Sequence, residues 1–233
     1  MKIAAVMSGQ MRTLDECAPS LDQYILAPLR RAGAEVRLFV HAAADADAHK
    51  AYECLPPDTR IEIADQPTLA EKNYISRTGR GVYDVQSVLR QFWSWRAAWR
   101  MVERYGTFDA AIRLRSDSLY YNEIEPPGEW ETGAVYVPRF SSFWAVCDRF
   151  GFGDFQAMAR WHCILDTLDD SIAAGRPFHP ETLVADAIGE RRRYTSVLFS
   201  SLRPSGEIRT PQFLEKIGDC PTSPQQPENN ECE

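Results

Sequence analysis

Between Asp109 and Tyr121 the chain reads D-A-A-I-R-L-R-S-D-S-L-Y-Y. Arg113, Arg115 and Asp117 alternate with Ile112, Leu114 and Ser116. Alternate residues of a strand share a face, so the spacing predicts two guanidinium groups and one carboxylate leaving one side of a strand. The segment opens with Ala110, Ala111 and Ile112 and follows a long helical pattern, which makes it a buried strand with its charges at the C-terminal end. In open α/β sheets that end is where ligands bind. Two arginines there predict the edge of a site that receives an anion such as a nucleotide diphosphate. An Arg–Asp–Arg ladder of ion pairs on a solvated strand face has the same pattern.

A site of this kind needs neighbouring strands to hold it. Lys2–Met7 is an apolar run suited to a first, central strand, broken at Ser8-Gly9-Gln10. Leu21, Tyr24, Ile25 and Leu29 recur at helical spacing, with Asp15 or Ser20 as cap, Arg31 near the end and Gly33 as the stop. Glu35–Ala42 is the second strand, so strand, helix and strand form a βαβ unit with a parallel pair. A small helix over Asp45–Leu55 and a third strand over Arg60–Ile63 come next, then a polar loop over Leu69–Gly81.

Tyr83–Tyr105 is the longest helix. Val85, Val88, Leu89, Phe92, Trp95, Trp99 and Val102 form one stripe, read as core packing. Further strands are expected at Ala134–Pro138, at the start of Phe143–Gly153 ahead of a glycine-bearing loop, and at Tyr194–Phe199. Further helices are expected over Asp154–Ile172 and from Pro180 to about Arg192. The pattern is one α/β domain over residues 1–217, with a Pro-, Gln-, Asn- and Glu-rich disordered tail over 218–233.

Composition bounds the function. The 233 residues carry a net charge of −7 and a pI near 5.2, which argues against non-specific nucleic-acid binding while leaving room for a local basic pocket. The six cysteines are scattered without a C-x-x-C pair, as expected of reduced thiols in a cytoplasmic protein rather than a zinc site or disulfide framework. Polar residues from Ser8 to Glu16 interrupt the first apolar run too early for a signal peptide. No apolar run approaches the roughly 20 residues that span a bilayer, so any membrane contact is expected to be peripheral.

Three pieces stand in order: I-A-A-V-M-S-G-Q-M-R-T from Ile3, R-L-R-S-D from Arg113 and F-H-P-E-T-L-V from Phe178. Together they resemble glycosyltransferases of the GT-A fold, and more narrowly the small enzymes related to the WavE lipopolysaccharide-synthesis glycosyltransferases. The resemblance covers roughly Lys2 to Ile188. It implies a Rossmann-like, mostly parallel central sheet flanked by helices. It also implies a nucleotide-sugar donor and transfer of the sugar to a glycan or lipid-linked acceptor, as in surface polysaccharide synthesis.

Each piece can serve that chemistry. Gly9, beside Ser8, lets backbone N–H groups approach a ligand closely. Gln10 can bond a base edge and Arg12 can hold phosphate, although an ordinary strand-to-helix turn fits the same residues. Asp117 stands where GT-A enzymes place D-x-D, the motif that binds a divalent metal, Mn²⁺ or Mg²⁺, bridging the diphosphate. Two residues on is Leu119, so the second carboxylate is missing. Asp117 is left to hold a metal alone, or the ribose, while Arg113 and Arg115 take the diphosphate charge.

Asp148 and Glu181 are the candidate catalytic carboxylates. Asp148 precedes a loop in which Gly151 and Gly153 could approach donor or acceptor; the alternative there is a helix-capping turn with Asp154 as N-cap. Glu181 could take the acceptor hydroxyl's proton, or be a first-turn glutamate favoured by the helix dipole. His41 and His162 are expected to be structural. Two other functions fit the same opening strand and turn. A sugar nucleotidyltransferase would need a glycine-rich triphosphate loop, of which only Gly9 is present. A catalytically degenerate GT-A-like protein would bind the nucleotide sugar without turning it over.

Overall fold

The computed structural model describes residues 1–70, 74, 84–140 and 145–209. Every side chain from Ile3 to Met7 in strand β1 (Lys2–Gly9) is fully buried. Ile3, Ala5 and Met7 face one hydrophobic cluster and Ala4 and Val6 the other, so β1 is the strand with helices on both sides. β2 (Glu35–Ala43) lies parallel to it on one flank and β4 (Ala110–Leu114) parallel on the other. β3 (Arg60–Ala64) extends the β2 side in parallel.

Beyond β4 the direction changes. β7 (Gly151–Asp154) pairs antiparallel to β4, and β6 (Val135–Pro138) antiparallel to β7. β8 (Arg192–Thr195) is parallel to β6. The seven strands run in the order β3-β2-β1-β4-β7-β6-β8, a mostly parallel sheet compatible with a Rossmann-like fold. The chain reverses direction across the sheet between β1 and β4, the place where α/β sheets open a crevice for ligands. A second sheet of three strands, β5 (Ser118–Tyr120), β9 (Phe199–Leu202) and β10 (Ile208–Arg209), stands beside it.

One face of the large sheet carries α1 (Leu14–Leu21), a π-helical stretch Asp22–Leu26, α2 (Ala27–Arg31) and the short α3 (Lys50–Cys54). The sequence predicts one regular helix here. Pro19 and Pro28 each remove a backbone donor, and the run between them is wound more loosely. Gly33, at φ 80°, follows as the predicted stop. The other face carries α4 (Val85–Tyr105), α5 (Phe155–His162), α6 (Ile164–Ala173) and α7 (Pro180–Ile188). Asp84 caps α4 by accepting from the Gln86 amide at 3.2 Å, and the expected stripe, Val88, Leu89, Phe92, Trp95, Trp99 and Val102, is its buried face.

Several boundaries differ from the sequence reading. The strand predicted over Tyr194–Phe199 is divided between β8, which ends at Thr195, and β9, which opens at Phe199, and the helix predicted over Asp154–Ile172 is broken at Cys163 into α5 and α6. The strand predicted over Asp109–Asp117 ends at Leu114; Ser116 and Asp117 form a turn that sends the chain into β5. The helix predicted to reach Arg192 stops at Ile188, where Gly189 takes φ 71°, and Arg192 opens β8. The glycine loop predicted after Phe143 is strand β7 itself. A Cβ on Gly151 would lie 2.5 Å from the Trp161 ring, and one on Gly153 2.2 Å from the Ala134 carbonyl, so these glycines admit neighbouring protein rather than a ligand. The predicted tail and all but Leu69, Ala70 and Tyr74 of the predicted Leu69–Gly81 loop lie outside the described residues. No helix among the described residues is long and apolar enough to cross a membrane.

The core holds one titratable group with a consequence for stability. His162 is fully buried, stacks on Trp99 with ring centroids 5.0 Å apart, and its Nδ1 bonds the Met158 carbonyl at 2.8 Å. Burial, reinforced by the charge of Arg113, pushes its pKa from 6.5 down to about 3. Below pH 6.5 the unfolded chain takes up a proton there that the folded chain refuses, so stability falls as pH drops. The loss is expected to approach about 1.4 kcal/mol per pH unit from this group until the folded value is reached. Urea midpoints measured between pH 7 and pH 4.5 are expected to decline, and to decline less in His162→Gln. An equal slope in the variant would assign the acid sensitivity elsewhere.

Candidate functional site

The C-terminal ends of β1 and β4 open into one cavity of about 420 Å³. Ser8, Gly9, Gln10 and Arg12 come from β1 and the turn after it, and Arg113, Arg115, Ser116 and Asp117 from β4 and its turn. The two sequence stretches are brought together because β1 and β4 are adjacent and in register, Met7 opposite Leu114. Ser116 Oγ donates to the Gln10 carbonyl at 2.5 Å and ties the two turns together. All seven residues expected to bind the donor therefore line the cavity.

Arg113 and Arg115 do different things. Arg115 grips Asp117 with both arms of its fork, Nε to Oδ1 and Nη2 to Oδ2, each at 2.7 Å. Burial alone would raise the Asp117 pKa, but the Arg115 charge and its hydrogen bonds hold it below the ordinary value. Arg113 is 2 % exposed and makes no carboxylate pair among the described residues. Its Nη1 donates to Ser8 Oγ at 3.1 Å, its guanidinium lies 4.8 Å from the centre of the Trp95 ring, and its Nε has no hydrogen-bond partner. Burial, and then the like charge of Arg115, pushes its pKa down to about 9. The expected ladder of ion pairs thus exists for Arg115 and Asp117 and leaves Arg113 outside it.

The rest of the wall was not singled out in the sequence. Ser87, Arg90, Gln91 and Ser94 project from α4 at the i, i+3, i+4, i+7 spacing of one helical stripe, and Trp95 of the predicted apolar stripe borders them. The apolar stripe drew attention to the core face of α4, while polar residues at the same period beside it mark the cavity face. Gln66 follows β3, and Leu202, Arg203 and Pro204 close the far side from the end of β9. The Leu202 amide donates to the Asp117 carbonyl at 2.9 Å, which fixes that side against the turn. Five arginines and a single carboxylate line the cavity among the described residues. Its field favours anions.

The two candidate catalytic carboxylates separate. Asp148 is half-buried, and its Oδ2 accepts from Gln91 Nε2 at 2.9 Å, one hydrogen bond behind the wall. Its charge is felt at Arg113, Arg115 and His179. Glu181 is buried in the first turn of α7 and is not part of the wall. Asp154 is the N-cap of α5, accepting from the Ala157 amide at 2.9 Å, which is the capping alternative foreseen for that segment. His41 bonds Ser94 Oγ through Nδ1 at 3.2 Å and packs edge-on to Trp93, a supporting position behind the wall.

Asp117 alone is a poor metal ligand set. Both its oxygens are engaged by Arg115, and no group of three or more His, Cys, Asp or Glu able to hold an ion occurs among the described residues. The four described cysteines are unpaired. Burial pushes the Cys17 and Cys147 thiols up to about 12, so neither supplies a thiolate at neutral pH. Comparison with curated proteins found no match. Over residues 1–170, the chain belongs to the family described as a domain of unknown function (DUF7796).

Proposed function

We propose that the chain is a nucleotide-sugar-dependent glycosyltransferase of GT-A type, acting in the cytoplasm on a glycan or lipid-linked acceptor. The observation that carries this reading is the arginine-lined cavity at the switch point between β1 and β4, with the buried, uncompensated Arg113 at its floor. In this reading the donor's diphosphate lies over Arg113 and Arg115, and Gln10 and the polar stripe of α4 meet the nucleoside. An acceptor hydroxyl forms the new bond to the anomeric carbon. The bond to the diphosphate oxygen breaks, and the diphosphate leaves with its electron pair. The hydroxyl proton passes to a carboxylate, for which Asp148, hydrogen-bonded to Gln91 of the wall and free of the Arg115 pairing that holds Asp117, is the candidate. GT-A enzymes are expected to use Mn²⁺ or Mg²⁺; the donor set around Asp117 does not fit such an ion, and no step is assigned to one.

A sugar nucleotidyltransferase reading gains nothing from the cavity, where Gly9 is the one glycine among the described residues. A panel of nucleoside diphosphates, nucleotide sugars and nucleoside triphosphates, read by thermal shift, tests the proposal. A ligand at 100 times its Kd is expected to stabilise the fold by about 2.7 kcal/mol. Stabilisation by a diphosphate and its sugar conjugates is the expected result. Stabilisation by triphosphates alone would favour the nucleotidyltransferase, and no stabilisation by any of them would remove the reading. Donor binding without transfer to any acceptor tried would favour the degenerate binding protein.

A further inference from the structure

We propose that Arg113 and Arg203 clamp the donor's diphosphate between them and that donor binding needs no divalent metal. The inference rests on reading the cavity as a nucleotide-sugar site. The two arginines reach it from different elements of the two sheets, Arg113 from β4 and Arg203 from the residue after β9. Each keeps a buried Nε with no hydrogen-bond partner. Neither forms an ion pair with a carboxylate among the described residues. Asp117 is taken by Arg115 through both oxygens, and Gln91 binds Asp148.

The surroundings make the vacancy of charge costly. The guanidinium of Arg113 is buried, donates to a hydroxyl and lies over an aromatic face, while the charges of Asp148 and Asp117 reach it without an ion pair among the described residues. A buried charge without its counter-charge is strongly unfavourable unless an anion completes it. Arg203 is held by its own turn, its amide donating to the Glu207 carbonyl at 2.9 Å and its carbonyl accepting from Gly206 at 2.8 Å. Burial lowers its pKa, and so do the like charges of Arg209, Arg149 and Arg115, while only Asp117 opposes them. A diphosphate carries negative charge on each phosphate and presents oxygens in pairs, which is what two planar forks in one cavity can bind.

A divalent cation would find the reverse of what it needs. Such ions are bound by carboxylate oxygens and share the phosphates. The cavity offers one carboxylate among the described residues, already saturated, and five guanidinium groups that repel a second cation. The arginines already supply the positive charge that a metal brings to a diphosphate.

Calorimetry with UDP, GDP, ADP and inorganic pyrophosphate, each in EDTA and in MnCl₂, tests the clamp. At least one nucleoside diphosphate is expected to bind with affinities that agree within about threefold between the two buffers. Arg203→Ala is expected to weaken it by about 10- to 100-fold, the scale of a charge-assisted hydrogen bond, with the ligand-free melting temperature unchanged because Arg203 is partly exposed. Arg203→Lys should recover part of the loss, since a point charge lacks the fork. Arg113→Lys repeats the test at the floor and is read only if it melts as the native protein does. Binding that appears with MnCl₂ and vanishes in EDTA would overturn the inference and leave the donor site standing. Native affinity in Arg203→Ala would overturn the clamp. No binding of any probe in either buffer would overturn both the inference and the donor reading beneath it.

Discussion

Asp148→Asn is expected to leave nucleoside diphosphate affinity near native and to lower sugar transfer by about 10²–10⁴-fold, the range that a positioned general base contributes. Asn keeps the size of the side chain and an oxygen to accept from Gln91, so the wall it supports should stand. What it removes is the charge and the ability to take a proton. Gln91, a residue of the cavity wall, holds Asp148 by donating to its Oδ2. Glu181→Gln is the comparison. Sequence alone ranks Glu181 as the base, but its place inside the first turn of α7 takes it off the cavity wall, and near-native transfer is expected. Single-turnover transfer and calorimetric donor affinity, measured on both variants, separate the roles. Loss of transfer in Glu181→Gln alone would return the base to α7. Native transfer in both would mean a retaining reaction without a base of this kind.

Gly153→Ala is expected to be the most damaging single methyl that could be added to the sheet. Gly153 has φ 142°, and its new Cβ would sit 2.2 Å from the Ala134 carbonyl oxygen and 3.0 Å from the Val135 Cα. Both obstacles are backbone of the neighbouring segment, and the Ala134 carbonyl is already fixed by accepting from the Asp154 amide at 2.8 Å. No side chain can turn aside to make room. Overpacking and backbone strain together are expected to cost about 3–5 kcal/mol, and to lower the melting temperature by roughly 10 °C in a chain of this length. Gly175→Ala is the control, because Gly175 also has a positive φ, 82°, with nothing within 4 Å. It should lose only the conformational cost, about 1–2 kcal/mol. Equal melting temperatures for the two variants would mean that β6 and β7 can separate to admit the methyl.

The sequence carried the parts of the fold that depend on local pattern. Lys2–Met7, Glu35–Ala42 and Arg60–Ile63 are apolar enough to be recognised as strands, and each matches an observed strand within one or two residues. Ser8–Arg12 and Arg113–Asp117 could be linked because both stretches lie at the C-terminal ends of strands that a βαβ layout makes neighbours. Arg203 could not be linked in this way. It reaches the cavity only because β9 pairs with β5 in a second sheet, a pairing between short strands far apart in the chain. β7 was hidden because half its residues are glycines. Their reason is the closeness of Trp161 and Ala134, which are neighbours in space but not in sequence. The division of labour between Arg113 and Arg115 was equally invisible. A strand face shared by both predicts equivalent roles, whereas the turn after Leu114 folds Asp117 back onto Arg115 alone.

The pairing of β5 with β9 also bears on how the chain is made. Synthesis proceeds from the N-terminus, and β1, β2, β3 and β4 can all leave the ribosome before β9 has been translated. The large sheet can therefore begin to collapse while the cavity still lacks the wall formed by Leu202, Arg203 and Pro204. Until that wall arrives, Arg113 and its neighbours face open solvent on that side, where screening weakens their hold on any phosphate. Under the proposed donor reading, a nascent chain meets the cell's pool of nucleotides with an unfinished pocket, and affinity for them is acquired only once β9 has emerged.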